Sequence, residues 1–179
     1  MLMRIHEGRT EETLMNVGQE IVDAATVGDE MRLREMLEDD VTLANVYSPD
    51  GWTPLHLAAH FNHINAVRWL LEAGADAHAR SQNDLSNQPL HAAVAGQASL
   101  ELLTLLLEAG AEVNARQRGG FTPILATAQN GDLAATRLLL ERGADPRARS
   151  DDGQSALSCA LEGGHEDVAR LLREHGATE

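Results

Sequence analysis

The sequence predicts an all-α solenoid of helix-turn-helix units joined by β-turn fingers, in about five repeats, and three observations carry that prediction. Gly-Ala follows a leucine-rich segment four times, at Gly74-Ala75, Gly110-Ala111, Gly143-Ala144 and Gly176-Ala177, with spacings of 36, 33 and 33 residues. A fixed period of this size marks stacked supersecondary units, none of which can bury its apolar face alone. About twenty residues before each Gly-Ala lies a helix-start signal, clearest at Thr53-Pro54-Leu55-His56 and Thr122-Pro123-Ile124-Leu125. The third observation is the paired leucines just before each Gly-Ala: Leu70-Leu71, Leu106-Leu107, Leu139-Leu140 and Leu171-Leu172.

Each unit follows from these signals in order. A Thr hydroxyl caps an orphan N–H and Pro fits the first helical turn, so Thr53-Pro54 opens a first helix. Gln88-Pro89, Thr122-Pro123 and Ser155-Ala156 stand at the same phase. The first helix breaks at Asn62-His63, Gly96-Gln97, Gly131-Asp132 and Gly164-His165, and a second helix carrying the paired leucines follows. Gly after those leucines supplies a left-handed cap. An extended connector then leads to the next unit.

These residues resemble the ankyrin-repeat family. Thr53-Pro54-Leu55-His56-Leu57-Ala58 matches the family's T-P-L-H-x-A signature without a mismatch. Leu106-Leu107-Glu108-Ala109-Gly110-Ala111-Glu112-Val113-Asn114-Ala115-Arg116 is similar to the family's second-helix ending. The resemblance runs from about residue 19 to the end and divides the chain into five units, 19–46, 47–79, 80–115, 116–148 and 149–179. The first is degenerate, and the last, lacking an onward connector, is expected to be a terminal cap. Residues 1–18 form an N-terminal extension outside the pattern, in which Glu11 to Val17 either adds a short helix or frays. Unit 3 departs most: its connector Arg80 to Gln88 is two residues longer than its neighbours', Gln88 stands for the capping Thr, and Ser86 stands where Gly51, Gly120 and Gly153 make the turn. A looser finger is expected there.

Composition excludes several functions. The formal charge is -14, from 28 acidic and 14 basic residues, so phosphate backbones and anionic membranes are repelled. All fourteen basic residues are Arg. Without Lys there is no P-loop, pyridoxal or protein-kinase chemistry. Cys159 is the only cysteine, so no internal disulfide forms. No run of about 18 apolar residues and no secretory leader is read, and a cytoplasmic location is expected.

Candidate chemistry is sparse. His56 and His60 share the i, i+4 spacing of zinc ligands, and His63 follows. No Glu completes an H-E-x-x-H motif, and the resemblance assigns His56 and His91 a local bond at the helix start, with His63 and His165 in a similar role at the turn. Cys159 falls at the core position of Leu57. Asp29, Asp39 and Asp40, and the pair Asp151-Asp152, read as solvated turns. No catalytic residue, metal or cofactor is expected, and the chain is read as a non-enzyme.

The resemblance places partner contacts on the concave side, on fingers and first helices. Mapped here they are Tyr47, Asp50, Trp52, His60 and Phe61 in unit 2, Arg116, Arg118, Phe121, Gln129 and Asn130 in unit 4, and Arg149, Asp151, Asp152, Gln154 and Glu162 in unit 5. Four of the five aromatics fall in this set, and Arg80, Arg116, Arg118, Arg147 and Arg149 cluster in the connectors of an acidic chain. Aromatics and Arg concentrate at interface hot spots. The alternative, that the aromatics only pack finger against helix, stays open at this stage. The expected function is a monomeric protein–protein interaction module, acting as adaptor, inhibitor or scaffold for a protein partner of basic character. The rivals are a self-associating structural protein and a small histidine- or metal-dependent hydrolase.

Overall fold

The computed structural model describes residues 11–178, and every regular element among them is helical. Ten α-helices run in pairs: α1 (Glu11–Val27) and α2 (Glu30–Asp39), α3 (Pro54–His60) and α4 (Ile64–Glu72), α5 (Pro89–Ala95) and α6 (Leu100–Glu108), α7 (Pro123–Asn130) and α8 (Leu133–Glu141), α9 (Ala156–Glu162) and α10 (Glu166–Glu174). The stretch from Glu11 to Val17 is continuous with the first helix of unit 1, making α1 17 residues long.

The Gly-Ala signature is a helix terminator. Gly74, Gly110, Gly143 and Gly176 all have φ between +88 and +93, a region where only Gly escapes a Cβ clash. The turn points the next N–H back into the helix, from Ala75 to Leu70 O, Ala111 to Leu106 O, Ala144 to Leu139 O and Ala177 to Leu172 O, at 2.9 to 3.0 Å. The bonded leucines are fully buried. Each therefore anchors both the end of its helix and the core, and truncating one to Ala costs about 2–5 kcal/mol.

Helices stack in two layers, α1, α3, α5, α7 and α9 in one and α2, α4, α6, α8 and α10 in the other. The first-helix layer is lined with small buried residues, including Ala58, Ala59, Ala92, Ala93, Ala128 and Ala160, which let helix axes approach closely. Gly96 shows how closely: a Cβ there would overlap the backbone carbonyl of His60 at the end of α3.

The buried core divides in two. One cluster runs from Ile21 through Ala111 and takes in Ala135, and the other runs from Ile124 to Ala177. Leu107 touches both. The split coincides with the thinnest of the first-helix interfaces, α5 against α7.

The third finger corrects the expectation of looseness. Ser86 does adopt the left-handed turn geometry that Gly holds elsewhere, at φ +46. The added residues are nevertheless tied down by Asn83, whose Oδ1 accepts from Leu85 N–H at 3.1 Å and Ser81 O–H at 2.9 Å. Ser81 N–H donates to Asn87 O at 2.8 Å and Asn87 N–H to Ser81 Oγ at 3.1 Å. A polar side chain that mimics a backbone turn replaces the missing Gly.

Candidate partner-binding surface

The fingers are held open by a backbone relay. Within them, Ser48 N–H donates to Trp52 O, Gln117 N–H to Phe121 O and Ser150 N–H to Gln154 O, at 2.8 to 2.9 Å. Between them, Gln82 N–H donates to Gly51 O, Arg118 N–H to Leu85 O and Asp151 N–H to Gly119 O, at 2.8 to 2.9 Å. Only one isolated bridge, Arg149 with Ser155, qualifies as β pairing among the described residues. The fingers thus form a row of linked turns rather than a sheet.

A ladder of guanidinium groups reinforces this row. Arg80 donates to Arg116 O at 2.9 Å, Arg116 to Arg149 O at 2.8 Å, and Arg149 to Thr178 O at 3.5 Å. Each Arg stands at the equivalent place in its unit and reaches the next unit. Sequence reasoning assigned Arg116 and Arg149 to a partner; the structure shows them joining unit to unit. The signal was present in the spacing of 36 and 33 residues between Arg80, Arg116 and Arg149. Arg118 lies at a finger tip and pairs with Asp84 at 2.6 Å, fully in solvent on the acidic side. Such exposed pairs add little stability.

The histidines knit units together as well. Buried His56 accepts the Thr53 O–H at Nδ1 (2.8 Å) and donates from Nε2 to Asn87 O in unit 3 (3.1 Å). His91 repeats the arrangement, accepting Gln88 N–H at 3.3 Å and donating to Phe121 O at 3.3 Å. Burial pushes both imidazoles down from 6.5 to about 4, against the pull of the carbonyls they donate to. They are neutral near pH 7. His60 donates to Ala92 O at 3.2 Å, while His63 turns the other way, to Thr26 O in unit 1 at 3.0 Å. His56, His60 and His63 therefore serve three different carbonyls, and no group of three potential metal ligands converges among the described residues. His165 donates to Gln129 O at 3.2 Å. Cys159 is buried, and burial raises its thiol pKa.

Unit 4 lacks this histidine. Leu125 stands at the place of His56 and His91, and the Thr122 hydroxyl is buried without a partner. Gln88 Oε1 and Asn87 Oδ1 are likewise unpartnered in unit 3.

The predicted aromatics separate into two groups. Phe61 is 49% exposed and Tyr47 36%. Phe61 meets the His60 ring edge-on, with centroids 4.9 Å apart. Trp52 is half-buried with its ring 5.5 Å from that of His56, and Phe121 packs against the C-terminal core cluster. Asp50, Gln129 and Asn130 are exposed and Gln154 half-exposed; Asn130 donates to Val94 O at 3.4 Å. Leu85, 48% exposed at the third finger tip, was not foreseen. Trp69 packs in the second-helix layer under the Arg34 guanidinium, 5.2 Å from its ring centre.

A family profile described as Ankyrin repeats (3 copies) matches residues 21–117 and again 90–178. The chain belongs to the ankyrin-repeat family. Its curated relatives include the neurogenic locus Notch protein of Drosophila melanogaster, 37% identical over 97 residues. The human neurogenic locus notch homolog protein 4 is 45% identical over 80 residues. These alignments cover 54% and 44% of this chain and 4% of each relative. Ankyrin repeats generally serve as protein–protein interaction modules, and the family is typically non-enzymatic. The bonded histidines and finger arginines thus fasten one repeat of an ankyrin array to the next.

Proposed function

We propose that this ankyrin-repeat protein is a non-enzymatic adaptor, inhibitor or scaffold that binds a protein partner across its fingers and first helices. One observation carries the reading: Tyr47 and Phe61, in unit 2, are the aromatic side chains among the exposed large apolar residues of the array, beside the aliphatic Val27, Met31, Val41, Leu85 and Leu100. Exposed aromatics supply contact area at low entropic cost, and a few such anchors dominate most interfaces. Exposed Leu85 and half-buried Trp52 add apolar surface to the proposed contact, and Asp50, Gln129, Asn130 and Gln154 add polar groups. The net charge of -14 favours a basic partner by steering the encounter.

The test is affinity capture with the intact chain as bait, beside a Tyr47→Ala/Phe61→Ala double variant and an Arg137→Ala control on α8. Phe121→Ala is a poor probe, since that ring is packed into the core cluster. A protein retained by the parent and the control and lost with the double variant supports the reading. Equal retention by all three refutes this surface as the site. Light scattering over a concentration range distinguishes a monomeric adaptor from self-association through the same aromatics.

A further inference from the structure

One position in the repeat does a simple job. Asn45 donates to Gly74 O at 2.9 Å and Asn114 to Gly143 O at 3.0 Å, tying each unit to the helix-terminating Gly of the next. At the equivalent place before Gly176 stands Arg147, whose Nε donates to Gly176 O at 2.9 Å. A neutral amide suffices for this bond elsewhere in the same chain. Arg147 adds a positive charge, and its Nη1 and Nη2 groups hold no hydrogen bond among the described residues.

Arg147 and Arg149 line a cleft of about 510 Å³ between the fourth and fifth fingers, with Asn114, Arg116, Thr122 and Asp145. Arg116 is paired with Asp151 at 2.7 Å. Neither Arg147 nor Arg149 has an ion pair among the described residues, and Arg149 is held by the carbonyls of Gly153 (2.9 Å) and Thr178 (3.5 Å). Asp145, the one carboxylate of the lining, accepts the backbone N–H of Arg147 at 2.9 Å. Thr122, whose buried hydroxyl has no partner, is part of the same wall. Two guanidinium groups pinned along one edge, each with N–H groups to spare, are pre-organised for a planar or tetrahedral oxyanion. The acidic remainder of the chain repels a polyanion but tolerates one compact group.

We propose that this cleft is an oxyanion site that takes a single phosphate group, clamped by Arg147 and Arg149. The group is either free inorganic phosphate or the phosphate of a phosphorylated protein side chain.

The experiment follows the arginine Nε–H signals of the full chain by NMR during titration with inorganic phosphate at constant ionic strength. Saturable shifts confined to Arg147 and Arg149, fitted by one dissociation constant, are expected. Arg147→Asn restores the amide used at Asn45 and Asn114, so it keeps the array's melting profile while weakening phosphate binding about tenfold or more, as loss of a charge-assisted pair requires. Arg137→Gln, on α8 and outside the cleft lining, leaves the constant unchanged. A parallel titration with N-acetyl phosphoserine amide assigns the source: tighter binding than inorganic phosphate indicates a side chain, weaker binding the free ion, and either supports the site. Shifts that grow linearly and spread equally to Arg80, Arg137 and Arg173 mean an adventitious ion only. That result, or undiminished binding by Arg147→Asn, overturns the proposal.

Discussion

Lowering the pH from 7.5 to 4 should loosen the second and third units through His56 and His91. Both imidazoles are buried, at 0% and 3% exposure, and each uses Nδ1 as an acceptor, for Thr53 and Gln88 respectively. Protonation destroys that acceptor and places a charge in the first-helix layer. The folded-state value is depressed, from 6.5 to about 4. The unfolded chain therefore binds the proton first, and stability is complete above about pH 6.5 and falls as pH drops toward 4. A difference of this size corresponds to about 3 kcal/mol for each histidine. Urea melts at intervals across this range measure the total. The same melts on a His56→Gln/His91→Gln double variant isolate the histidine part, because changes in the carboxylates cancel between the two. The gap between parent and variant should shrink by several kcal/mol on acidification, and histidine ring signals in NMR should titrate near 4. A gap that does not vary with pH, or ring signals titrating near 6.5, would refute the reasoning.

Three further outcomes follow from the packing. Gly96→Ala forces a methyl into the His60 carbonyl and should cost about 1–3 kcal/mol in urea denaturation, whereas an α-helix end free of that contact would gain from Ala. Thr122→Val removes a buried hydroxyl that has no partner and keeps the β-branched shape, so thermal melting should rise, by about 1 kcal/mol of stability. Ser86→Gly relieves a left-handed backbone at φ +46 and should stabilise by about 0.5 kcal/mol after the added freedom of the unfolded chain is offset.

The helices were legible because their signals are local. Thr53-Pro54 and Gly74-Ala75 each act within a few residues, and their recurrence carries the phase from unit to unit. The fingers were harder to read. Ser86 looked like a defect, because its substitute, Asn83, works through a side chain three residues away. The bonds of Arg116 and Arg149 to the next unit went unread for a related reason. Arg and aromatic residues are favoured at interfaces, but a guanidinium fits a carbonyl of the next finger equally well, and composition does not distinguish the two uses. Only the repeat spacing of Arg80, Arg116 and Arg149, compared position by position, pointed to a structural ladder. Exposure was equally opaque. Phe61 at the end of α3 and Phe121 in the finger before α7 were both read as contact residues, yet one faces water and the other packs against the C-terminal core.

The division of the core between the third and fourth units gives the array a mechanical character. Stiffness in a stacked solid resides in its shared apolar contacts, so bending strain gathers where those contacts thin out. Among the first-helix interfaces that place is α5 against α7, so the array is expected to flex there, between a first rod of units 1 to 3 and a second of units 4 and 5. Tyr47 and Phe61 ride on the first rod, and the cleft of Arg147 and Arg149 on the second. A binding partner that touches both is expected to fix the angle between them.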